Sequence, residues 1–284
     1  MTVAEPVLQF DATTLERIAV RLRVNIIRML GESGSGHPGG SLSAIDIVTY
    51  LYFHRMRIDP ARPKWEDRDR FVLSKGHCSP AAYVALAARG YFPEEVLWTL
   101  RDIDSPLQGH PDMKKTIGID MTTGSLGQGF SCATGIALGG KVLKKDFHVY
   151  VMLGDGEIQE GVVWEAASAA SHYKLDNLIA FVDYNKLQTD GRTNDIMGIE
   201  PIEDRWRAFG WEVARIDGHD FRQIHAASEW AQERAAKPHV IVADTLKGKG
   251  IREMEGNVAC HALGQPLTRE QVAAYVAQLE EAAR

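Results

Sequence analysis

Two oxygen-bearing side chains follow neighbouring apolar segments of this sequence, at a spacing that could bind a metal ion. Asp155 lies in a Gly-Asp-Gly turn directly after residues 149–153, and Asn185 directly follows residues 178–184. Both apolar segments are predicted to be buried strands, and residues 160–174 are predicted to be the helix between them. Such a crossover brings both strand ends to one edge of a parallel sheet, where α/β proteins bind ligands. Asp155 and Asn185 should therefore meet there.

The types of these residues indicate a hard divalent cation bound together with a phosphate. Carboxylate and amide oxygens suit Mg²⁺ or Ca²⁺ better than zinc, and Mg²⁺ usually keeps phosphate oxygens and water among its ligands. Gly154 and Gly156 permit positive φ and leave the backbone bare, so that N–H groups could approach a diphosphate just before a helix begins. The residues therefore predict a metal–diphosphate site, with a plain turn and a strand-ending Asn as the alternative interpretation.

The rest of the chain alternates apolar segments with amphipathic ones. Further strands are predicted at residues 71–73, at 211–216 as an edge strand and at 240–243 as a central strand. Further helices are predicted at residues 13–30, 41–53, 81–88, 94–101, 129–143, 221–235 and 268–282. Asp11, Thr13 or Thr14 should cap the first of these helices and Gly31 should end it, and Ser41 should cap the second. The alternation predicts an α/β fold with a doubly wound, mainly parallel sheet and helices on both faces.

Composition limits the possible classes of protein. The 284 residues suit one domain, 1–284, in which about 268–284 form a C-terminal helix or tail. A formal charge of −6 argues against nonspecific nucleic-acid binding. Cys78, Cys132 and Cys260 are odd in number and lack a CxxC pair, so we expect reduced thiols in a cytoplasmic protein. The sequence contains neither a signal segment nor an apolar run long enough for a membrane span, so we expect no membrane association.

Longer segments resemble one family, the transketolases. Gly-Asp-Gly followed by a downstream Asn is the signature of thiamine diphosphate enzymes, and the adjoining QEGVVWEA, YKLDNL and NKLQTDG are similar to transketolase sequences. Other segments agree in the same order: SGSGHPGGSLSAIDIV, DRFVLSKGHCSPAAY, LQGHPDM, TTGSLGQGFSCATGIALG, and TLKGKGI with NVACHALGQPL. The resemblance runs from about residue 20 to residue 267 and implies the fold of a diphosphate-binding domain.

The resemblance also implies a cofactor, thiamine diphosphate, and a metal, Mg²⁺, with Ca²⁺ or Mn²⁺ as possible substitutes. The metal ligands would be Asp155, Asn185 and the main-chain oxygen of Leu187. The carbonyl of Gly124 would meet the 4′-amino group of the pyrimidine and Leu126 would pack on the cofactor. Implied cofactor-binding residues are His77, Gly124, Ser125, Leu126, Gly154, Asp155, Gly156, Glu157, Asn185, Leu187 and His261. Ser125 departs from the family, in which full-length enzymes often have Pro.

Four histidines in Gly- or Pro-bearing loops match histidines of the family. His77 and His261 would hydrogen-bond the diphosphate, His110 would contact the C1 hydroxyl of the donor or the reacting carbonyl, and His37 would contact sugar hydroxyls. Imidazole can donate or accept a proton near neutral pH, which suits both anion binding and proton transfer. The resemblance therefore implies that these four residues take part in catalysis, whereas each alone would be taken as a surface loop residue.

Full-length transketolases carry pyrimidine-binding and C-terminal domains that this sequence does not show. The resemblance thus implies the N-terminal subunit of a split transketolase, active only with a C-terminal partner chain in an α₂β₂ heterotetramer. The partner would supply the glutamate that activates the cofactor. The pair would transfer a two-carbon ketol unit between sugar phosphates, as in the pentose phosphate pathway. We expect the isolated chain to bind the cofactor weakly and to transfer nothing.

Three alternatives remain open from the sequence. A split transketolase for apulose 4-phosphate or a sulfo-sugar would share every motif above. A non-catalytic cofactor-binding subunit should have lost Asp155, Asn185 or the four histidines, which are all present. A thiamine diphosphate enzyme of another class, such as a decarboxylase, should lack the histidine loops SGHPGG and QGHPD.

Overall fold

Five parallel strands form the centre of the fold. A computed structural model describes residues 9–232 and 236–282. Its strands are β1 (Arg70–Leu73), β2 (Val149–Gly154), β3 (Leu178–Tyr184), β4 (Glu212–Asp217) and β5 (His239–Asp244). Their spatial order is β1-β2-β3-β5-β4, and every neighbouring pair is parallel. The predicted doubly wound parallel sheet is therefore confirmed, with β4 at an edge and β5 inside.

Helices cover both faces of the sheet. They are α1 (Ala12–Ser33), α2 (Pro38–Tyr50), α3 (Ser79–Ala88), α4 (Gln128–Val142), α5 (Gly161–His172), α6 (Thr193–Ile196), α7 (Ile202–Ala208), α8 (Phe221–Trp230) and α9 (Arg269–Glu281). Helices α1, α2, α3, α8 and α9 pack on one face, and α4, α5 and α7 pack on the other. Successive apolar residues of the central strands enter opposite cores, so the strands are mostly apolar, as parallel strands buried on both faces usually are; the buried Asp183 of β3 is an exception. No described helix has the length and apolar character needed to cross a membrane.

The register of the strands sets the position of the loops that carry the predicted site. Gly154 of β2 pairs with Asp183 of β3, and Tyr184 of β3 pairs with Asp244 of β5. The four strands β1, β2, β3 and β5 lie next to one another and point the same way. The segments that follow these four strands consequently emerge side by side at one edge.

Two predictions about helix ends are wrong. Asp11 caps α1 as expected, since its carboxylate accepts from Thr13 N at 3.1 Å, but the helix runs past Gly31 to a left-handed Gly34. A Cβ on Gly31 would lie 2.6 Å from a methyl group of Val272, so this glycine allows α9 to approach α1 closely. Ser41 does not cap α2. That helix begins at Pro38, which suits the first turn because its missing N–H would have no helical partner there.

Other boundaries differ from the prediction as well. The predicted helix 94–101 is only a 3₁₀ segment, Glu94–Thr99. The predicted helix 221–235 ends at Trp230, and residues 233–235 lie outside the described residues. The predicted second helix continues beyond Tyr50 as a π-helical turn, Leu51–Arg55. Helix α9 packs along α1 and buries Leu279, so its apolar side belongs to the same core as α1.

Candidate functional site

A cavity of about 210 Å³ opens where β1, β2, β3 and β5 end. Its walls come from the loops that follow these strands, from the start of α2 and from the segment before α9. The predicted site residues in its wall are His77, Leu126, Gly154, Asp155, Gly156, Glu157, Asn185, Leu187 and His261. The structure thus brings together residues that are far apart in the sequence, and places Asp155 and Asn185 in one wall.

Asp155 lies almost fully buried at the end of β2. One of its carboxylate oxygens accepts from Gly156 N at 2.8 Å, and the other accepts from Lys186 N at 2.6 Å and from Thr193 Oγ1 at 3.1 Å. Burial, with the nearby Asp183 carboxylate, raises the pKa of Asp155 to about 6. A cation bound here would favour the ionised carboxylate and so would bind more tightly above that pH.

The groups beside Asp155 supply two further oxygens. Asn185 Oδ1 accepts from Leu187 N at 3.2 Å, and the Leu187 carbonyl accepts from Lys247 Nζ at 2.9 Å. Among residues 9–232 and 236–282, no three His, Cys, Asp or Glu side chains are grouped so that they could hold a metal by themselves. The carboxylate of Asp155 and the carbonyl oxygens of Asn185 and Leu187 are instead a suitable ligand set for Mg²⁺, which usually takes phosphate oxygens as further ligands. The residues present therefore fit a metal–diphosphate.

Two glycines at this site behave differently from the expectation. Gly154 and Gly156 do not take positive φ. Their N–H groups already donate, Gly154 N to Glu157 Oε2 at 3.0 Å and Gly156 N to Asp155 at 2.8 Å. A Cβ on Gly156 would lie 3.2 Å from Gln188 Cβ, closer than most side-chain contacts. The turn therefore contributes to the cavity a backbone without side chains, and the N–H groups of Gly154 and Gly156 are already engaged.

Two lysines that the sequence reasoning did not assign stand in the cavity wall. Lys75 is fully buried, forms an ion pair with Asp183 and donates to Gly40 O at 3.0 Å. Burial opposes its charge, but the Asp183 carboxylate outweighs burial and raises the pKa of Lys75 above its usual value. The ammonium is therefore charged at neutral pH, next to the place where a diphosphate would lie.

Lys247 is the second of these lysines. Its ammonium donates to the Leu187 carbonyl at 2.9 Å and lies 3.0 Å from His261 Nδ1. Burial lowers its pKa below the usual value. A signal for both lysines exists in the sequence, because each lies in a Gly-bearing loop directly after a predicted strand, in SKGH and in LKGKG.

Three of the predicted histidines form a cluster, in which His77 and His261 line the cavity and His37 packs against both. The ring centroids of His37, His77 and His261 lie 5.1 to 5.4 Å apart. Burial, with nearby cationic groups, lowers the pKa of His37 to about 4, that of His77 to about 2 and that of His261 to about 4. All three rings are therefore neutral at pH 7. Nδ1 of His37 is buried without a hydrogen-bond partner among the described residues, so it could bind a ligand hydroxyl.

The remaining predicted residues lie beside the cavity. His110 is exposed, and a Cβ on Gly124 would lie 3.5 Å from its ring. Partial burial of the ring, with the nearby Arg101 charge, lowers the pKa of His110 as well. Ser125 is exposed and does not line the cavity, unlike the adjacent Leu126. Of this loop, Leu126 lines the cavity, whereas Gly124 and Ser125 do not.

Glu157 ties three of the loops together. Its carboxylate is buried and accepts from Ser74 Oγ at 2.5 Å, from Gly127 N at 2.8 Å and from Gly154 N at 3.0 Å. These donors follow β1, precede α4 and end β2 respectively. Burial raises the pKa of Glu157 above its usual value. Its oxygens are thus engaged with the protein, and the side chain holds the cavity wall in place.

The family model for the transketolase thiamine diphosphate-binding domain matches residues 15–280. A 6-deoxy-6-sulfo-D-fructose transketolase subunit, SqwG, of Clostridium sp. (strain MSTE9) is 50% identical over 271 residues, which are 94% of this chain and 98% of the relative. An apulose-4-phosphate transketolase subunit of Phocaeicola vulgatus is 42% identical, over 94% of each chain. Transketolase-like protein 2 of Bos taurus is 44% identical, over 92% of this chain and 42% of that protein.

Solved structures agree with these sequence matches. Transketolase from Leishmania mexicana superposes with a TM-score of 0.89 and 32% identity, over 94% of this chain and 41% of that chain. Transketolase from Campylobacter jejuni superposes with a TM-score of 0.89 and 34% identity, over 96% of this chain and 43% of that chain. The chain therefore spans less than half the length of these solved transketolases, and nearly the whole length of the two relatives named as subunits.

Proposed function

The chain belongs to the transketolase family, and from this premise we propose that it is the thiamine diphosphate-binding subunit of a two-chain transketolase. The observation that carries the proposal is the cavity in which Asp155, Asn185 and the Leu187 carbonyl adjoin Lys247 and the histidine cluster. The match over 98% of a relative named as a subunit, against 42% of a longer family member, supports the two-chain form. We propose that residues 1–284 act as one domain and pair with a C-terminal partner chain in an α₂β₂ complex.

The residues of the cavity fit Mg²⁺–thiamine diphosphate. Asp155, Asn185 and Leu187 O would hold the metal through oxygen atoms, the ligands that Mg²⁺ prefers. The ammonium groups of Lys75 and Lys247 supply positive charge in the same wall, which favours a diphosphate. Bound thiamine diphosphate supplies the nucleophilic carbon that accepts and passes on a two-carbon unit.

The histidines of this chain would handle protons and orient the sugar. His77 and His261, neutral at pH 7, can donate an N–H to an anionic oxygen without adding charge. We assign a sugar hydroxyl to the unpartnered Nδ1 of His37, and the exposed His110 stands beside Gly124, outside the cavity lining. The chain thus positions groups and moves protons, while we assign to the partner chain the carboxylate that activates the cofactor.

For the donor substrate we propose a sulfonated ketose, 6-deoxy-6-sulfo-D-fructose. The 50% identity to a relative named for this sugar extends over nearly the whole of both chains. Cleavage between C2 and C3 of this ketose would leave a four-carbon aldehyde that retains the sulfonate. Apulose 4-phosphate is a second candidate, since two relatives named for that sugar are 42% and 41% identical. An ordinary ketose phosphate, the first expectation from the sequence, is a third, favoured by the 44% identity to the bovine protein.

The test is a two-carbon transfer assay on the chain co-purified with its candidate partner. Each of the three donors, with fructose 6-phosphate as the ordinary ketose phosphate, is incubated with ¹³C-labelled glyceraldehyde 3-phosphate, Mg²⁺ and thiamine diphosphate. Mass spectrometry then identifies the unlabelled shortened donor and the labelled five-carbon ketose phosphate that receives the two-carbon unit. We expect the sulfonated four-carbon aldehyde only when both chains are present. Transfer by the chain alone would contradict the two-chain proposal. Transfer from another donor at a higher kcat/KM would contradict the substrate assignment, and an absence of transfer from all three donors would contradict the proposed activity.

A further inference from the structure

A buried polar chain of contacts leads from α1 to the cavity wall and includes residues that do not line the cavity. It begins with an ion pair between Arg23 and Asp46, in which Nη1 donates to Oδ1 at 2.9 Å and Nη2 donates to Oδ2 at 2.6 Å. Both side chains are more than nine-tenths buried. Asp46 Oδ2 also accepts from His219 Nδ1 at 2.7 Å, across 173 residues of sequence. This connects α1 and α2 to the turn after β4.

The contacts of His219 fix its protonation. Nε2 lies 2.9 Å from Leu246 N, and because a backbone N–H can only donate, Nε2 must be the acceptor. The proton therefore lies on Nδ1, where it is donated to Asp46. A neutral imidazole with one N–H and one bare nitrogen is the form that joins a carboxylate to an amide. His219 thus anchors the backbone of Leu246 to a buried ion pair.

The residue after that anchor is Lys247, which reaches the cavity. Its ammonium has only protons to offer, so the Leu187 carbonyl at 2.9 Å and His261 Nδ1 at 3.0 Å both accept from it. His261 consequently carries its proton on Nε2, the nitrogen that lies 3.3 Å from Thr189 Oγ1. Lys247 therefore fixes two properties of the site. It orients the carbonyl of Leu187, a proposed metal ligand, and it sets the tautomer of His261, a proposed donor to the diphosphate.

We propose that His219 is a positioning residue for the cofactor site, acting through Leu246 and Lys247 on Leu187 and His261. The inference rests on the proposed function, since it concerns how this chain prepares the Mg²⁺–thiamine diphosphate site. His219 lies outside the cavity lining, and the loop it anchors leads directly into the cavity wall. Its effect on the cofactor is therefore indirect.

Two other backbone hydrogen bonds hold the loop after β5, so the loss of the His219 contact can be studied without unfolding the loop. Thr245 N donates to Tyr184 O at 3.1 Å, and Gly248 N donates to Gly39 O at 3.0 Å. Loss of the His219 bond leaves both in place, one on each side of Leu246 and Lys247. The segment would stay attached to the sheet and to α2, but its central residues could shift by a fraction of an ångström, enough to move the Lys247 ammonium away from its two acceptors.

The experiment compares His219→Leu, which can neither donate nor accept, with His219→Gln, whose amide can do both. His225→Leu is the control, because His225 is a partly buried histidine of α8 that meets Tyr50 OH at 3.1 Å and stacks on Phe10, outside the cavity wall. Calorimetry gives the Kd of Mg²⁺–thiamine diphosphate for the paired subunits. Hydrogen exchange of the Leu246 amide and the ¹⁵N shifts of the His261 ring are measured on the unloaded chain, together with the melting temperature.

We expect His219→Leu to weaken cofactor affinity about tenfold or more, as loss of residues that orient metal ligands does. It should also speed exchange at Leu246 and remove the single Nε2–H tautomer of His261. His219→Gln should recover most of the affinity, and His225→Leu should lower the melting temperature without changing the affinity. An affinity in His219→Leu no weaker than in the control would overturn the inference. If the unsubstituted pair binds no cofactor, the proposed function fails, and the exchange and tautomer of the unloaded chain still decide the role of His219.

Discussion

Replacing Asp183 by Asn should leave the Lys75 ammonium buried without its counter-charge. Both side chains are inaccessible to solvent, at 0% and 2% exposure. Asp183 also accepts from Ser43 Oγ at 2.6 Å and from Thr245 Oγ1. Burial raises the carboxyl pKa of Asp183, but the Lys75 ammonium outweighs burial and lowers this pKa below its usual value. The carboxylate therefore joins α2, the loop after β1 and the loop after β5 beneath the cavity.

The cost of the substitution follows from this geometry. Breaking a buried ion pair by removing one charge typically lowers the free energy of unfolding by about 3–5 kcal/mol, because the remaining ion keeps its desolvation penalty. Ser43 and Thr245 donate to different oxygens of the carboxylate. In Asp183→Asn one hydroxyl can still donate to the amide oxygen and the other can turn to accept from the NH₂ group, so the loss should come mainly from the charge. We therefore expect a loss of about 3–5 kcal/mol for Asp183→Asn. The double substitution Lys75→Met with Asp183→Asn removes both charges and should recover about 1–3 kcal/mol of it.

The assay is urea unfolding of the chain at pH 7 without cofactor, followed by tryptophan fluorescence and by far-UV circular dichroism. Cofactor is omitted because binding to the folded state would add its own stabilisation. Asp204→Asn is the matched control, since Asp204 pairs with Arg207 at 2.9 Å where both side chains are more than half exposed. Such a surface pair should contribute no more than about 1 kcal/mol.

Two outcomes would refute the reasoning. A loss for Asp183→Asn no greater than that of the surface control would mean that the ion pair is not isolated from water. A double variant as unstable as Asp183→Asn alone would mean that the cost lies in the hydrogen bonds of the carboxylate and not in the stranded charge of Lys75.

Three further predictions concern the cavity itself. Asp155→Asn should weaken Mg²⁺–thiamine diphosphate binding at least about tenfold by calorimetry, because it removes a proposed carboxylate ligand; unchanged affinity would contradict that role. Glu157→Gln should lower the free energy of unfolding in urea by about 1–3 kcal/mol, because an NH₂ group replaces an oxygen that accepts from buried donors; a loss near zero would show that those donors find other partners. Burial lowers the pKa of His37, His77 and His261 from 6.5 to about 4, 2 and 4, so each favours the folded state above pH 6.5 and loses that contribution progressively as the pH falls from 6.5 towards its folded value. The raised pKa of Asp155, about 6, acts in the opposite direction, but it is one group against three. The melting temperature of the unloaded chain should therefore fall from pH 6.5 to 4, and it should fall less in His77→Gln. A rise in melting temperature would contradict the burial of the rings.

Local patterns in the sequence were enough to locate the sheet and the two proposed oxygen ligands at its edge. Parallel strands buried on both faces are continuous apolar segments, so β2 and β3 could be located from composition alone. Since a crossover helix returns the chain in the same direction, the residues after both strands had to share one edge. Asp155 and Asn185 were therefore predictable from local pattern and one topological rule.

Helix ends depended on neighbours that the local pattern does not contain. Gly31 has the sequence signature of a helix end, yet α1 continues to Ser33, and this glycine instead leaves room for Val272 of α9, 241 positions further along the chain. The start of α2 was readable locally, since Pro38 favours a first helical turn more strongly than Ser41 favours a cap there.

The long-range partners of the polar residues at the site cannot be identified from the sequence alone. Lys75 meets Asp183 across 108 residues, Lys247 meets Leu187 across 60, and His219 meets Asp46 across 173. No periodicity encodes such pairs, because each is made when separate strand ends and helices pack against one another. The physical reason is that a buried charge must find a partner in three dimensions, whereas a strand or a helix is recognisable from the spacing of its apolar residues.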